Sequence, residues 1–131
     1  MVREVYQLAS ARDSGTYVQG ELGVSVGVVM LVHTALGGAE QVARHWAEHG
    51  CPVVIHADTT VPKENFDRLQ RGLSDLKNVS FSARFRCEWG TWVMVAATQA
   101  ASEQMLREHA DVRHVYLASG SCLPLRPVKE L

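Results

Sequence analysis

The chain has 131 residues, of which 47% are hydrophobic and 21% are charged, and its formal net charge is −1. These values are typical of one globular domain with a sizeable core, and they exclude an intrinsically disordered chain. Since the charges balance, nothing attracts the chain to nucleic acid as a whole, and we expect no nucleic-acid partner.

Cysteine usage and hydropathy bear on the compartment. Cys51, Cys87 and Cys122 form no Cys-x-x-Cys pair, and apolar runs such as residues 28–32 are far too short to span a bilayer. This argues against a disulfide framework, a structural zinc site and a transmembrane segment. We therefore expect a cytoplasmic protein, with any peripheral attachment to a membrane made through parts outside this sequence.

A regular pattern begins after an irregular N-terminal arm. Residues 1–22 show no sustained period, and we assign residues 23–131 to the folded domain. Strands are predicted at Val24–His33, Pro52–Asp58, Val79–Phe85 and Val112–Ala118, and helices at Ala39–His49, Pro62–Leu76 and Trp92–His109. Because strands alternate with helices, the fold class is α/β, with a Rossmann-like parallel half-sheet and flanking helices.

Polar residues gather where the predicted strands end, and ligands bind outside the carboxyl ends of such strands. The last strand leads into Ser119-Gly120-Ser121-Cys122, and the second ends in His56-Ala57-Asp58. Positions 56 and 58 of a strand point the same way. Asp58 is suited to accept hydrogen bonds from a ribose or a base, but it is equally suited to cap a turn, and spacing does not decide between the two.

The densest chemical patch is Arg84–Trp92, which has two arginines, a carboxylate and two indoles. Arginines pair with phosphate and indoles stack on bases or sugars. The alternative is an ordinary strand-to-helix turn, with Thr91 as the helix cap and Trp92 entering the core. This alternative leaves the role of Trp89 open.

Two further patterns are weaker. His45-Trp46-Ala47-Glu48-His49 matches the His-x-x-Glu-His pattern of zinc peptidases, but it closes a helix whose end favours positively charged side chains. We interpret these histidines as surface residues and expect no metal. Gly37-Gly38 belongs to neither a Gly-x-Gly-x-x-Gly nor a Walker motif, so a classical dinucleotide or ATP site is not expected.

Taken in order, four segments resemble the core-2/I-branching family of β-1,6-N-acetylglucosaminyltransferases, which also includes protein xylosyltransferases. They are Val28–His33, Val53–Asp58, Glu88-Trp89-Gly90 before an Ala-rich helix, and Tyr116–Arg126. The second and the last segments are close to the family's usual V-I-H-V-D and L-S-G-x-D-F-P-L-K. The resemblance runs from about Gly27 to Leu131.

The resemblance implies a GT-A type fold, a UDP-sugar donor, a hydroxyl acceptor, inversion of the anomeric carbon and no metal or other cofactor. In agreement, the chain has no Asp-x-Asp. Carried over by position, the nucleotide-binding residues are Val32, His33, Asp58 and Arg86, and the residues near the sugar and acceptor are Trp89, Ser119, Gly120, Ser121 and Cys122. Two of these depart from the family pattern: Cys122 stands where an acidic residue is usual, and Arg86 where an aromatic or apolar residue is common.

The resemblance also indicates what these residues lack. In the family, the general base and the basic residues that neutralise the UDP leaving group follow the fourth strand, so we expect them beyond Leu131. The chain is then the N-terminal, nucleotide-sugar-binding half of the catalytic domain, inactive alone and prone to self-associate through its truncated edge. The alternative is a non-catalytic nucleotide-binding α/β module. Donor sugar and acceptor are left open.

Overall fold

The computed structural model describes residues 26–88 and 91–124. Helices and strands alternate along these residues in the order β1 (Val26–Val32), α1 (Leu36–Glu48), β2 (Val53–Ala57), α2 (Lys63–Gly72), β3 (Val79–Phe81), α3 (Trp92–Glu108) and β4 (His114–Ser119). The predicted arm at residues 1–22 lies outside the described residues, as does Trp89.

The described strands form a four-stranded parallel sheet in the order β3-β2-β1-β4. This confirms the predicted Rossmann-like α/β fold. β1 pairs with β2 from Val28↔Val53 onward and with β4 up to Leu31↔Ser119. The chain proceeds outward from β1 to β3 and then crosses back to place β4 on the other side of β1. The topological switch point, where α/β sheets open a crevice for ligands, is therefore between the carboxyl ends of β1 and β4.

Helices cover both faces of the sheet, which explains why the strands are apolar without alternation. Val28 and Met30 pack in a cluster with residues of α1 and α2. Val29 and Val54 pack on the opposite face with Met105 of α3. The central strands β1 and β2 are therefore buried on two sides, whereas β3 is partly buried and β4 exposes Tyr116 and Leu117. The carboxyl ends of the central strands are the parts that remain free for chemistry.

The first helix begins earlier than predicted. α1 starts at Leu36, so Gly37 and Gly38 lie inside its first turn instead of before it. The preceding residue, Ala35, has left-handed backbone angles (φ 51°, ψ 50°), and its carbonyl accepts the first helical bond from Ala39 at 3.1 Å.

Two other elements are shorter than predicted. β3 ends at Phe81 instead of Phe85, and α2 ends at Gly72 instead of Leu76. After Phe81 one more ladder bond follows, from Ser82 N–H to the Ile55 carbonyl (3.0 Å). The chain then leaves the ladder, and the N–H groups of Phe85 and Cys87 donate to the side chains of His56 and Asp58.

The start of α3 also differs from the prediction. Trp92 is 76% exposed, so its assignment to the core is wrong. Thr91 occupies the N-cap position without making a side-chain capping bond, and its hydroxyl donates instead to the Glu88 carbonyl at 2.7 Å. No helix within residues 26–88 and 91–124 is long and apolar enough to cross a membrane.

Candidate functional site

Asp58 follows β2 directly and is only 5% exposed. Both of its carboxylate oxygens accept backbone N–H groups: Oδ1 accepts Thr60 N–H (2.9 Å), and Oδ2 accepts Cys87 N–H (2.8 Å). Burial alone would raise the pKa of Asp58, but these hydrogen bonds outweigh it and hold the pKa below its ordinary value. The carboxylate is ionised near neutral pH and joins the end of β2 to the chain that follows β3.

His56 acts on the same stretch of chain from two residues earlier. Its Nε2 accepts the Phe85 N–H at 2.9 Å, and its ring stacks on the Phe85 ring with 5.9 Å between centroids. Burial lowers the pKa of His56 below its ordinary value, although the Asp58 carboxylate opposes this shift. An imidazole nitrogen accepts a hydrogen bond only when it carries no proton. The geometry therefore requires a neutral ring.

Arg84 completes this cluster from the opposite direction. Its Nε donates to the Ala57 carbonyl (3.1 Å), and its terminal nitrogen donates to the carbonyls of Asp58 and Val61 (2.7 Å each). The guanidinium also lies over the Phe66 ring, 4.4 Å from the ring centroid. Arg84 therefore holds the turn after β2. The sequence patch suggests two phosphate-binding arginines, but this one is engaged within the protein.

Arg86 differs from Arg84 in every respect that matters for binding. Its side chain is exposed, and within the described residues its guanidinium has no hydrogen-bond or ion-pair partner. Arg86 lies between Phe85 and Cys87, whose backbone N–H groups donate to the side chains of His56 and Asp58. Arg86 thus presents free donors from an anchored stretch of backbone.

Val32 and Asp58, the predicted uridine residues, meet through the backbone: Asp58 N–H donates to the Val32 carbonyl at 3.0 Å. Their side chains lie in different environments. The Val32 side chain is buried in the cluster formed with α1 and α2, whereas Asp58 binds Cys87. His33, the next residue after β1, is exposed. The structure thus brings these positions to one edge without bringing all their side chains together.

The turn after β4 is built from its own side chains. Ser119 Oγ lies 3.2 Å from Ser121 Oγ and 3.2 Å from Cys122 Sγ, and Cys122 N–H donates to the Ser119 carbonyl at 3.2 Å. The indole N–H of Trp46 in α1 donates to the Cys122 carbonyl at 3.0 Å. This bond attaches the turn to α1.

Gly120 sits in that turn because space is short. A Cβ at this position would lie 3.1 Å from Ala39 Cβ in α1 and 3.6 Å from Val32 Cγ2 in β1. The close approach brings the ends of β1 and β4 and the first turns of α1 into contact. The predicted Ser119–Cys122 turn therefore lies at the topological switch point.

The thiols of the chain differ in ionisation. The Ser119 hydroxyl, and then the Ser119 backbone, lower the pKa of the Cys122 thiol by hydrogen bonding, and burial opposes them only in part. Burial raises the pKa of Cys51 to about 12. Burial and the neighbouring Asp58 carboxylate also raise the pKa of Cys87. Cys122, at the switch point, is thus the thiol most readily ionised among the described residues.

A cavity of about 260 Å³ opens beside this edge, between the β1–α1 loop and α2. Its lining includes His33 but none of the other predicted site residues that the structure describes. Sequence reasoning missed its polar lining residues Glu40, Asn65 and Arg68. On helical spacing these residues fall on solvated faces, so no sequence signal distinguishes them from ordinary surface positions.

The zinc-peptidase pattern has a local explanation. The rings of His45 and His49 lie 4.4 Å apart, and His49 Nδ1 donates to the His45 carbonyl at 2.7 Å. Glu48 lies 3.5 Å from Arg44. Across residues 26–88 and 91–124, no group of three or more His, Cys, Asp or Glu side chains is arranged to hold a metal ion.

The sheet order, the helices on both faces and the polar edge at the switch point define a Rossmann-like α/β protein. Residues 30–131 match the model of the Core-2/I-Branching enzyme family. Since the match covers most of the chain, the chain belongs to this family, whose members are glycosyltransferases. No curated protein matches the chain significantly.

Proposed function

We propose that the chain forms the nucleotide-sugar-binding part of a glycosyltransferase. The reaction moves N-acetylglucosamine or xylose from a UDP-sugar to an acceptor hydroxyl, with inversion and without a metal ion. The observation that carries this proposal is the family match over residues 30–131, because it includes every predicted site residue. The structure supports it by placing those it describes at the carboxyl edge of one parallel sheet.

In this proposal, the nucleotide lies over the ends of β1 and β2. The backbone at Val32 and His33 and the turn at Asp58 border the uridine, and Arg86 supplies free donors beside it. The Ser119–Cys122 turn borders the donor sugar and the acceptor at the switch point. This arrangement follows the general rule for ligands in open α/β sheets.

Inverting transfer requires two further groups. A base must deprotonate the acceptor hydroxyl, and positive charge must stabilise the departing diphosphate. The resemblance places both groups after β4, so we assign neither of them to a described residue. We therefore propose that the described residues contribute donor binding and neither of these two groups.

The proposal is tested by titrating uridine, UDP, UDP-N-acetylglucosamine and UDP-xylose into the ¹⁵N-labelled chain, with adenosine and ADP as specificity controls. We expect the uridine ligands to shift the amides after β1 and β2. Arg86→Ala should weaken UDP binding by roughly tenfold to a hundredfold, the usual range for a lost hydrogen bond to a charged group. Arg107→Ala, an exposed arginine in the last turn of α3, is the matched control. Absence of uridine-specific shifts contradicts the proposal.

Metal independence has its own test. We expect EDTA to leave both the thermal midpoint and UDP binding unchanged. Stoichiometric zinc that disappears when His45 and His49 are both changed to Ala would show instead that the helix pattern is a metal site.

A non-catalytic nucleotide-binding module is the second candidate function, and Cys122 is the observation that favours it. The family usually has an acidic residue at this position, and a thiol makes weaker hydrogen bonds to sugar hydroxyls than a carboxylate does. The two functions differ in whether a base and positive charge for the diphosphate are present after β4. A downstream Glu together with an Arg/Lys pair favours the enzyme, and restoring an acid with Cys122→Asp should then strengthen UDP-sugar binding relative to UDP.

A further inference from the structure

The end of β2 holds the chain that follows β3 at several points. We propose that His56 is a positioning residue: when its ring is neutral, it locks Ser82–Glu88 (the 82–88 segment) against β2 together with Asp58 and Arg84, and when it is protonated, it releases Arg86 from its binding position. The role of Arg86 in this lock rests on the function proposed above. The lock itself depends only on contacts within the chain.

Alternate residues of the 82–88 segment, Phe85 and Cys87, make backbone hydrogen bonds to the end of β2 and the residues that follow it. Phe85 N–H binds His56 Nε2 (2.9 Å) and Cys87 N–H binds Asp58 Oδ2 (2.8 Å), while the Phe85 carbonyl accepts Thr59 N–H (3.2 Å). The residue between the two anchored N–H groups is Arg86. Its backbone is fixed on both sides although its side chain is free. A ligand that binds Arg86 therefore need not order this backbone, which is the usual advantage of preorganisation.

Arg84 ties the same segment to the turn after β2 in the reverse direction. Its guanidinium donates to the carbonyls of Ala57, Asp58 and Val61. The side chains of His56 and Asp58 thus accept hydrogen bonds from the segment, and the side chain of Arg84 donates from the segment to the turn after β2. Of these three side chains, only His56 changes its hydrogen-bonding role near neutral pH, because carboxylates and arginines keep their charge there.

Protonation of His56 replaces an acceptor by a donor. An imidazolium Nε2–H would face the Phe85 N–H at a distance where only one of the two can donate. The charges that act on His56 are those of Asp58, which favours the protonated ring, and Arg84, which disfavours it.

The packing around His56 determines where it titrates. On β1 its register partner is Leu31, and that strand has no charged residue. The charged residues of α3 are Glu103, Arg107 and Glu108, all exposed. Because burial lowers the pKa of His56, the lock is closed at pH 7 and opens below about pH 6.5, the ordinary value for histidine.

The lock is tested first without a ligand. Hydrogen exchange of the Phe85 and Cys87 amides is measured from pH 7.5 to 5 and corrected for the intrinsic pH dependence of exchange, and the ¹⁵N shift of His56 Nε2 is followed in the same samples. We expect Phe85 protection to fall about threefold to tenfold, as for one lost hydrogen bond, with the midpoint at which Nε2 gains its proton. Phe85 protection that is unchanged while Nε2 titrates overturns the proposal.

His56→Gln separates acceptor from charge, since the Gln carbonyl can accept the Phe85 N–H but does not titrate. We expect this variant to keep Phe85 protected over the whole pH range. His49→Gln, which removes an exposed histidine at the end of α1, should lose Phe85 protection in acid as the wild type does. If His56→Gln loses its acid response only because it does not fold, the wild-type exchange profile still decides the question.

The consequence for binding is measured with uridine, which has no phosphate, because the terminal phosphate of UDP itself titrates near pH 6. We expect wild-type affinity for uridine to fall about threefold to tenfold across the His56 midpoint and that of His56→Gln to stay level. Level affinity in the wild type, with the segment released, overturns the positioning role of His56. If no uridine binds at any pH, the proposed function fails, and the exchange data alone judge the lock.

Discussion

Replacing Asp58 by Ala should destabilise the fold, because its carboxylate is a cross-link between two parts of the chain. The substitution leaves Thr60 N–H and Cys87 N–H without their acceptor. A hydrogen bond to a charged group contributes about 1.5–3 kcal/mol. Both bonds are part-buried, but Thr60 itself is exposed, so water can replace its acceptor more easily than that of Cys87. We therefore expect a loss of about 2–3 kcal/mol, a large fraction of the roughly 5–15 kcal/mol available to a domain.

The pH dependence of this loss has a defined sign. The folded pKa of Asp58 is lower than the unfolded value, so the stabilisation is complete above the unfolded value of about 3.9 and disappears as pH falls through the folded pKa. Wild type and Asp58→Ala should therefore differ fully at pH 7 and converge in acid. His56 adds to the acid sensitivity of the wild type, since its pKa is also lowered and stability is lost as pH falls below about 6.5.

Urea unfolding at pH 7, at pH 5 and at pH values below about 3.9 measures both effects, because the Asp58 contribution is still complete above about 3.9. Asp111→Ala is the matched control, because Asp111 is an exposed aspartate in the turn before β4, and it should change stability by less than about 0.5 kcal/mol. Asp58→Asn retains one acceptor oxygen and should fall between the control and Asp58→Ala. If Asp58→Ala is as stable as the control, the cross-link contributes nothing and ligand binding is the better explanation of this residue.

Gly120→Ala should destabilise the fold by about 1 kcal/mol or more, because its Cβ would press on α1. Gly37→Ala should stabilise the fold by about 0.5–1 kcal/mol, because nothing lies within 4 Å of its added Cβ. Equal unfolding midpoints for the two variants would contradict both expectations. Cys122 should react with iodoacetamide at pH 7 faster than Cys51, whose pKa is raised to about 12, as mass spectrometry of timed samples can show; equal rates would refute the ionisation order. The wild-type chain should self-associate in sedimentation through β4, an edge strand of the described sheet on which Leu117 is 45% exposed, and Leu117→Lys should reduce this association; a wild-type monomer at high concentration would refute it.

The centre of the sheet is predictable from the sequence because β1 and β2 are buried on both sides. Val28–Val32 and Val53–Ala57 are apolar runs that suit few other environments, and the helices between them show one apolar face. The local sequence pattern does not predict the end of an element where contacts with a distant part of the chain determine it. β3 ends at Phe81, and beyond it the N–H groups of Phe85 and Cys87 donate to the side chains of His56 and Asp58, contacts that no local spacing encodes.

Trp92 shows a second limit of the sequence. α3 has apolar or small residues on most of its circumference, so its pattern does not identify which side faces the sheet. The sheet contacts small residues such as Ala97 and Ala101 together with Met105, while Trp92 points outward. A large side chain is usually assigned to the core because of its area, but close helix–sheet packing here selects small side chains instead.

Arg84 and Arg86 show why residue type at a strand end does not by itself identify a ligand contact. A guanidinium that already donates to carbonyls at 2.7–3.1 Å cannot bind a phosphate without giving up those bonds. Arg86, two residues later, has its donors free, and its place is set by the bonds that its neighbours make. Arg84 stabilises the carboxyl edge of the sheet, and Arg86 is available to a ligand. These two roles require the 82–88 segment to be held in place.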